Sequence, residues 1–519
     1  MLLRSIVALL PLALAAQQPH DTVISGGRIY DGAGNPWFYA DVAVQGDRIA
    51  AIGNLAAAAA RMRLDARGLA IVPGFIDIHS HGRDGLLTIP AAENQIRQGV
   101  TTIVEGNDGG SPLPLAPFLA KLAATRFAVN FATFAGHGTI RREVVGLENR
   151  KATPEEIQKM KDLTRQAMRD GSFGLSTGLF YVPGNYAPTE EVIELAKVAG
   201  SLGGMHISHM RNEAQGVLDS IRETIRIGEE GGLPTQITHH KVVGTAMWGK
   251  SVETLRLVEQ ARARGVDVTI DQYPYTASST GTAALFPQWA QAGGTKSLLE
   301  RLDAPETRAR IKEAIVSNIV DNRGGGDPKN VVLASCRFDP ALAGMSLADV
   351  TAARGVPVTV ANAAETAIEI QKKGGCSAIY HAIAEPDVER ILKSPYTMVA
   401  SDGGVPEFGR AVPHPRNYGA FARVLGRYVR ERRVITLESA IHKMSGFPAA
   451  RLKLMDRGLI AVGMKADIGA FDPATVIDKA EFGKPHQYAE GFRHVLVNGR
   501  AVLRDGKMTG ELPGRVLYG

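Results

Sequence analysis

Four stretches far apart in the chain carry side chains that bind divalent metals: His79-Ser80-His81, Ser208-His209, His239-His240-Lys241 and Ser401-Asp402. Imidazole nitrogens and carboxylate oxygens are common ligands of zinc. Each stretch follows a short apolar run of the kind that forms a buried strand, the first being Leu69-Ala70-Ile71-Val72-Pro73-Gly74-Phe75-Ile76-Asp77-Ile78. Strand side chains alternate between faces, so His79 and His81 project together while Ser80 turns away. The same alternation separates His209 from His206 and His239 from His240, which leaves His206 and His240 structural or supporting roles. A lone His-x-His is common on protein surfaces, but three further ligands at other strand ends make it a strong signal of a metal centre.

The remaining polar residues at these strand ends suit hydrolysis. Asp402 can take a proton from water and return it to a leaving amine, although Asp-Gly-Gly after a strand also reads as a helix cap. Lys241, two residues beyond His239, faces the same mouth; Tyr273 can donate a hydroxyl, and Arg416 offers a planar fork suited to a carboxylate. Arg211 and Glu213 read as a supporting ion pair. His137 and His381 follow other strand-like runs, and each reads either as a mouth residue or as a satisfied structural histidine.

Ligands from separate strands meet only if the strand ends are gathered. Apolar runs alternate with helical stretches at 154–170, 189–202, 217–231 and 252–264, which predicts a parallel sheet closed into an α/β (β/α)₈ barrel over residues 70–454. Nine candidate strands are one too many, and the surplus falls in an insertion at about 278–384, placed to act as a lid. Short alternating runs with Gly-Gly and Asp-Gly turns at 17–69 and again at 455–519 predict a small β-sandwich built from both chain ends.

The chain has 519 residues, 45% of them apolar, and a net charge of +6 without a long basic cluster, so nothing points to nucleic acid. Residues 1–16 have a basic start, an apolar stretch and small residues at the end, which reads as a signal peptide for export; the stretch falls short of the roughly 20 residues of a stable membrane anchor. Cys336 and Cys376 are the only cysteines, and the expectation is two buried thiols, with a single bridge as the alternative.

Several longer runs carry a resemblance: Pro73-Gly74-Phe75-Ile76-Asp77-Ile78-His79-Ser80-His81, Gly174-Leu175-Ser176-Thr177-Gly178-Leu179, His209-Met210-Arg211-Asn212-Glu213, Thr238-His239-His240-Lys241, Asp271-Gln272-Tyr273-Pro274-Tyr275 and His414-Pro415-Arg416. Together they resemble the amidohydrolase superfamily, and within it the D-aminoacylase (N-acyl-D-amino-acid deacylase) branch, over nearly the whole chain after the leader. The resemblance implies one or two Zn2+ ions, with His79, His81, His209 and His239 as ligands and Asp402 as the catalytic acid/base. It also implies that Lys241, Tyr273 and Arg416 hold the free α-carboxylate of the substrate. The family carries a cysteine ligand in Gly-Asn-Cys-Gly, whereas Gly106-Asn107-Asp108-Gly109 puts Asp108 there, and Glu105 competes for the same role. The strand at 172–177 offers no lysine, so the carboxylated-lysine bridge of dihydroorotases and hydantoinases is not expected.

The expected activity is hydrolysis of the amide in N-acyl-D-amino acids, or in dipeptides ending in a D-residue, by an exported enzyme acting on small molecules, its oligomeric state left open. The rivals are cyclic amide hydrolysis and a metal-poor binding protein on the same fold. Family members acting on acidic D-residues use a basic residue beyond Tyr-Pro-Tyr, and 276–294 contains no Lys or Arg. A neutral, apolar D-residue is therefore expected, unless His381 or a basic residue of the insertion supplies the charge.

Overall fold

Parallel strands covered by helices outside and packed side chains within are buried on both faces. In the computed structural model, which describes residues 18–519, every residue of the barrel strands is buried. Phe75–Asp77, Val100–Glu105 and Asn130–Thr133 pair in one parallel run; Ala135–Gly136, Gly174–Gly178, Met205–His209, Thr235–Ile237, Val268–Gln272 and Thr397–Val399 pair in another. The third strand is interrupted only at Phe134 and belongs to both runs. The ring closes where the Asp402 amide donates to the His79 carbonyl and the His81 amide to the Gly403 carbonyl. This is an eight-stranded (β/α)₈ barrel.

The run 69–78, expected as one strand, is divided at Gly74. Ala70–Pro73 pairs with Ile468–Phe471 of the sandwich, and only Phe75–Asp77 enters the barrel. A Cβ at Gly74 would stand 2.2 Å from Thr101 Oγ1, so the crossover between the two layers needs glycine. The sandwich thus extends past residue 69 to include Ala70–Pro73.

That sandwich joins His20–Ile29, Phe38–Gln45, Arg48–Gly53, Ala60–Asp65 and Ala70–Pro73 to Ile468–Phe471, Phe492–Val497, Arg500–Arg504 and Lys507–Met508. Ile24, Val42, Ile49, Ile71, Ile468 and Leu496 fill its core and tie the two chain ends together. Burial of each such side chain contributes roughly 1.5–3 kcal/mol.

Between the last two barrel strands lies the insertion, with a separate core of Leu298, Ile311, Ile315, Ile319, Leu333 and Ile368. Its antiparallel sheet of Ser278–Gly281, Cys376–Tyr380 and Val331–Cys336 accounts for the surplus strand. Cys336 and Cys376 are opposite each other in this sheet and form a disulfide, so the expectation of two thiols is corrected. Partnered strands had brought the sulfurs together, which spacing in the sequence does not reveal. Among the described residues no helix is long and apolar enough to cross a membrane.

Candidate active site

The predicted ligands arrive at one end of the barrel. His79 Nε2 is 3.6 Å from both Asp108 Oδ1 and Asp402 Oδ1, and His81 Nε2 is 3.4 Å from Asp108 Oδ2 and 3.1 Å from Asp402 Oδ1. On the other side of Asp108, its Oδ1 is 3.5 Å from His209 Nδ1 and 3.4 Å from His239 Nε2. Two ligand groups result, His79/His81/Asp108/Asp402 and Asp108/His209/His239, and Asp108 belongs to both. His79 Nδ1 and Nε2 and Asp108 Oδ1 are buried without hydrogen-bond partners among the described residues. Unsatisfied atoms converging in this way, from imidazoles and carboxylates, fit one or two divalent cations of the zinc type.

Asp108 and Glu105 separate clearly. Glu105 Oε1 accepts the Arg83 amide at 2.9 Å, and burial pushes its carboxyl up to about 7, whereas Asp108 sits between both ligand groups. Asp108, His239 and Asp402 all have positive φ, at 56°, 33° and 50°. Strained backbone at three positions of the candidate metal-binding groups is held in place by the strand ends that carry them. Gly178 shows how closely: a Cβ there would lie 2.1 Å from the Asp108 carbonyl.

The supporting shell differs in part from expectation. Asp271 faces His79 Nδ1 at 3.5 Å and accepts the His239 amide at 2.6 Å, and so orients two ligands at once. Its place at the end of Val268–Gln272 was the available signal. Glu213 does not pair with Arg211: Arg211 binds Glu223 at 2.7 Å, while Glu213 accepts Lys241 Nζ at 2.5 Å and lies 3.2 Å from His239 Nδ1. Burial opposes ionisation of Glu213, but Lys241 and His209 hold its carboxyl well below the usual range.

His206 bonds Thr177 and Thr235, and His240 bonds Thr254. Burial pushes them down to about 3 and about 4, as expected of neutral structural histidines. His137 is paired with Glu191 at 3.0 Å. His381 does not line the site: it follows the lid strand Cys376–Tyr380, and its ring packs against Phe482 at 4.7 Å.

A cavity of about 660 Å³ opens over the ligands, within the range of small-molecule sites. Lys241, Tyr273 and Arg416 all line it. The ammonium of Lys241 and the guanidinium of Arg416 stand over the Tyr273 ring at 5.6 and 4.9 Å, and Arg416 Nη1 donates to Asp402 Oδ2 at 2.7 Å. Burial opposes the charge on Asp402, yet Arg416 and His79 hold its carboxyl well below the ordinary value. The lid adds Ser278, Ser279, Thr280 and Arg323. Arg323 was hidden in sequence because Asn322-Arg323-Gly324-Gly325-Gly326 reads only as a turn-rich loop.

Comparison with known proteins agrees with this geometry. Residues 64–503 match the Amidohydrolase family. The chain is 40% identical to a D-aminoacylase of Alcaligenes xylosoxydans xylosoxydans, over 96% of this chain and 98% of that one, and 37% identical to an N-acyl-D-glutamate deacylase of the same organism, over 96% and 97%. It superposes with a TM-score of 0.83 on a crystal structure of N-acyl-D-glutamate deacylase from Bordetella bronchiseptica, complexed with zinc and a phosphonate inhibitor, at 35% identity and covering 97% of this chain and 100% of that one. Full-length identity at this level, on a barrel whose strand ends carry these ligands, places the protein in the amidohydrolase family.

Proposed function

We propose that this hydrolase cleaves the amide of N-acyl-D-amino acids with one or two zinc ions held by His79, His81, Asp108, His209 and His239. The observation that carries the reading is the convergence of both ligand groups on Asp108 beneath a cavity that also holds Lys241, Tyr273 and Arg416. The names of its relatives, D-aminoacylase and N-acyl-D-glutamate deacylase, support the substrate class but differ in side chain at nearly equal identity. Gly174–Gly178 presents Ser176 and Thr177 and no lysine, which weighs against the cyclic amide reading.

A bound divalent ion supplies Lewis-acid polarisation of a carbonyl and a more acidic water. Asp402 takes the proton released as the water oxygen adds to the acyl carbon, and returns it to nitrogen as the C–N bond breaks. Arg416 orients the Asp402 carboxylate through Nη1 and keeps further donors for the α-carboxylate; Tyr273, whose hydroxyl is buried and unpartnered among the described residues, adds another. A dipeptide ending in a D-residue presents the same amide and is a close variant. Export is part of the reading: the leader-like sequence at 1–16, which lies outside the described residues, supports it, and so does the Cys336–Cys376 bridge, since disulfides persist in oxidising compartments.

The test is amine release from N-acetyl-D- and N-acetyl-L-amino acids and from L-Xaa-D-Xaa dipeptides by zinc-loaded protein, with metal content measured alongside. Cleavage of D-substrates is expected. Ligand retention without turnover, or a preference for L-substrates, would sink the proposal.

A further inference from the structure

Five arginines are buried: Arg141, Arg323, Arg416, Arg451 and Arg457. Four have a carboxylate within reach, namely Glu191, Asp402, Asp267 and Asp467 in turn. Arg323 has none. It is 7% exposed, and among the described residues its guanidinium makes neither an ion pair nor a hydrogen bond. Its guanidinium nitrogens, unpaired among the described residues, keep access to the cavity that Arg323 lines.

Its surroundings hold it where it is. Arg323 ends the wide helical turn Asn318–Arg323, which continues the helix Pro305–Ser317, and such widened turns are frequent at functional sites. Asn318 Nδ2 donates to the Leu285 carbonyl at 2.9 Å, Asn330 Nδ2 to the Gly324 carbonyl at 2.8 Å, and Ile319 is fully buried in the lid core. The guanidinium lies over the rings of Phe180, at 4.8 Å, and Tyr380, at 5.6 Å. Phe180 in turn is 5.8 Å from His209, so Arg323 borders the cavity on the His209 flank. Lys241 and Arg416 are each engaged by a carboxylate of the chain, and both stand over Tyr273.

We propose that Arg323 is a specificity-determining residue that pairs with a second carboxylate of the substrate, carried by the D-residue's side chain or by its acyl group. This rests on the amidase reading above. It reverses the apolar preference expected from 276–294, because the missing cation comes from farther along the lid. An α-carboxylate on the Tyr273 and Arg416 side leaves the second carboxylate for the His209 side, where the vacant guanidinium offers paired donors in a plane.

The experiment compares kcat/KM for N-acetyl-D-glutamate against N-acetyl-D-glutamine, and for N-succinyl-D-leucine against N-butanoyl-D-leucine, in the wild type, Arg323→Met and Arg323→Lys. A hydrogen-bonded charge pair implies a preference of about 10- to 100-fold for the acidic member of one pair, and which pair shows it identifies the carrier. Arg323→Met is expected to abolish that preference by lowering kcat/KM on the acidic member far more than on the neutral one, whose remaining turnover reports an intact fold; Arg323→Lys should restore part of it. Equal wild-type rates within both pairs, or an equal loss on acidic and neutral substrates in Arg323→Met, would overturn the role of Arg323 alone. No hydrolysis of any N-acyl-D-amino acid would overturn the amidase reading and this inference with it.

Discussion

Asp402 turns its two oxygens to different partners: Oδ2 accepts Arg416 Nη1 at 2.7 Å, while Oδ1 faces His81 Nε2 at 3.1 Å. The pair joins the last barrel strand to the helix Arg416–Arg423 and fixes the carboxylate over the ligands. Asp402→Asn keeps the shape and removes the proton carrier. The expected fall in kcat is about 10²- to 10⁴-fold. Metal analysis should still find one equivalent, since Asp108, His209 and His239 form a group without Asp402. Near wild-type turnover would leave Asp402 as a cap alone.

Asp108 stands in both ligand groups, so its loss should affect every bound ion. Asp108→Ala is expected to lose metal and activity together, Asp108→Cys to retain zinc, and Glu105→Ala to retain it as well because Glu105 serves the Arg83 amide. Zinc per chain, measured after dialysis, separates the three. Depletion in Glu105→Ala with full occupancy in Asp108→Ala would reverse the assignment.

His209 and His239 come from adjacent strands and meet at 2.7 Å, Nδ1 to Nε2. Alanine at either should empty the group they share with Asp108 and abolish turnover. Full zinc occupancy in both variants would exclude them as ligands.

His206 makes the fold sensitive to acid. Burial pushes it down to about 3, so it stays neutral when folded while the unfolded chain takes up a proton below about pH 6.5. Its contribution is therefore present above that pH and is lost as the pH falls toward 3. One proton corresponds to about 1.4 kcal/mol per pH unit, or about 2 kcal/mol between pH 6.5 and 5. Melting temperatures at pH 7 and pH 5 should drop less in His206→Gln than in the wild type. Parallel drops would remove His206 as a source.

The Cys336–Cys376 bridge spans a separation of 40 residues and staples the lid sheet. A closed loop of this length is worth about 4 kcal/mol in the chain-entropy account. The double Cys→Ser variant is expected to melt earlier and to bind the second carboxylate less well, since Arg323 rides on the same lid. An unchanged melting curve would show that the lid core holds without the bridge.

That His79, His81, His209, His239 and Asp402 converge was legible from sequence because ligand type, strand periodicity and the end of an apolar run are all local properties. The barrel and the two-ended sandwich were legible for the same reason: a strand followed by a helix repeats its pattern along the chain. Pairing was not. Glu213 reads in sequence as the partner of its neighbour Arg211 and instead reaches Lys241 and His239; Asp271 supports His79 and His239 from a third strand; Cys336 finds Cys376 across a sheet. Arg323 shows the limit most sharply, since a loop arginine is ordinarily solvated. Only the fold lays it over the Phe180 and Tyr380 rings, withholds a carboxylate and turns it toward the cavity, and those are properties of three-dimensional neighbours that no stretch of sequence contains.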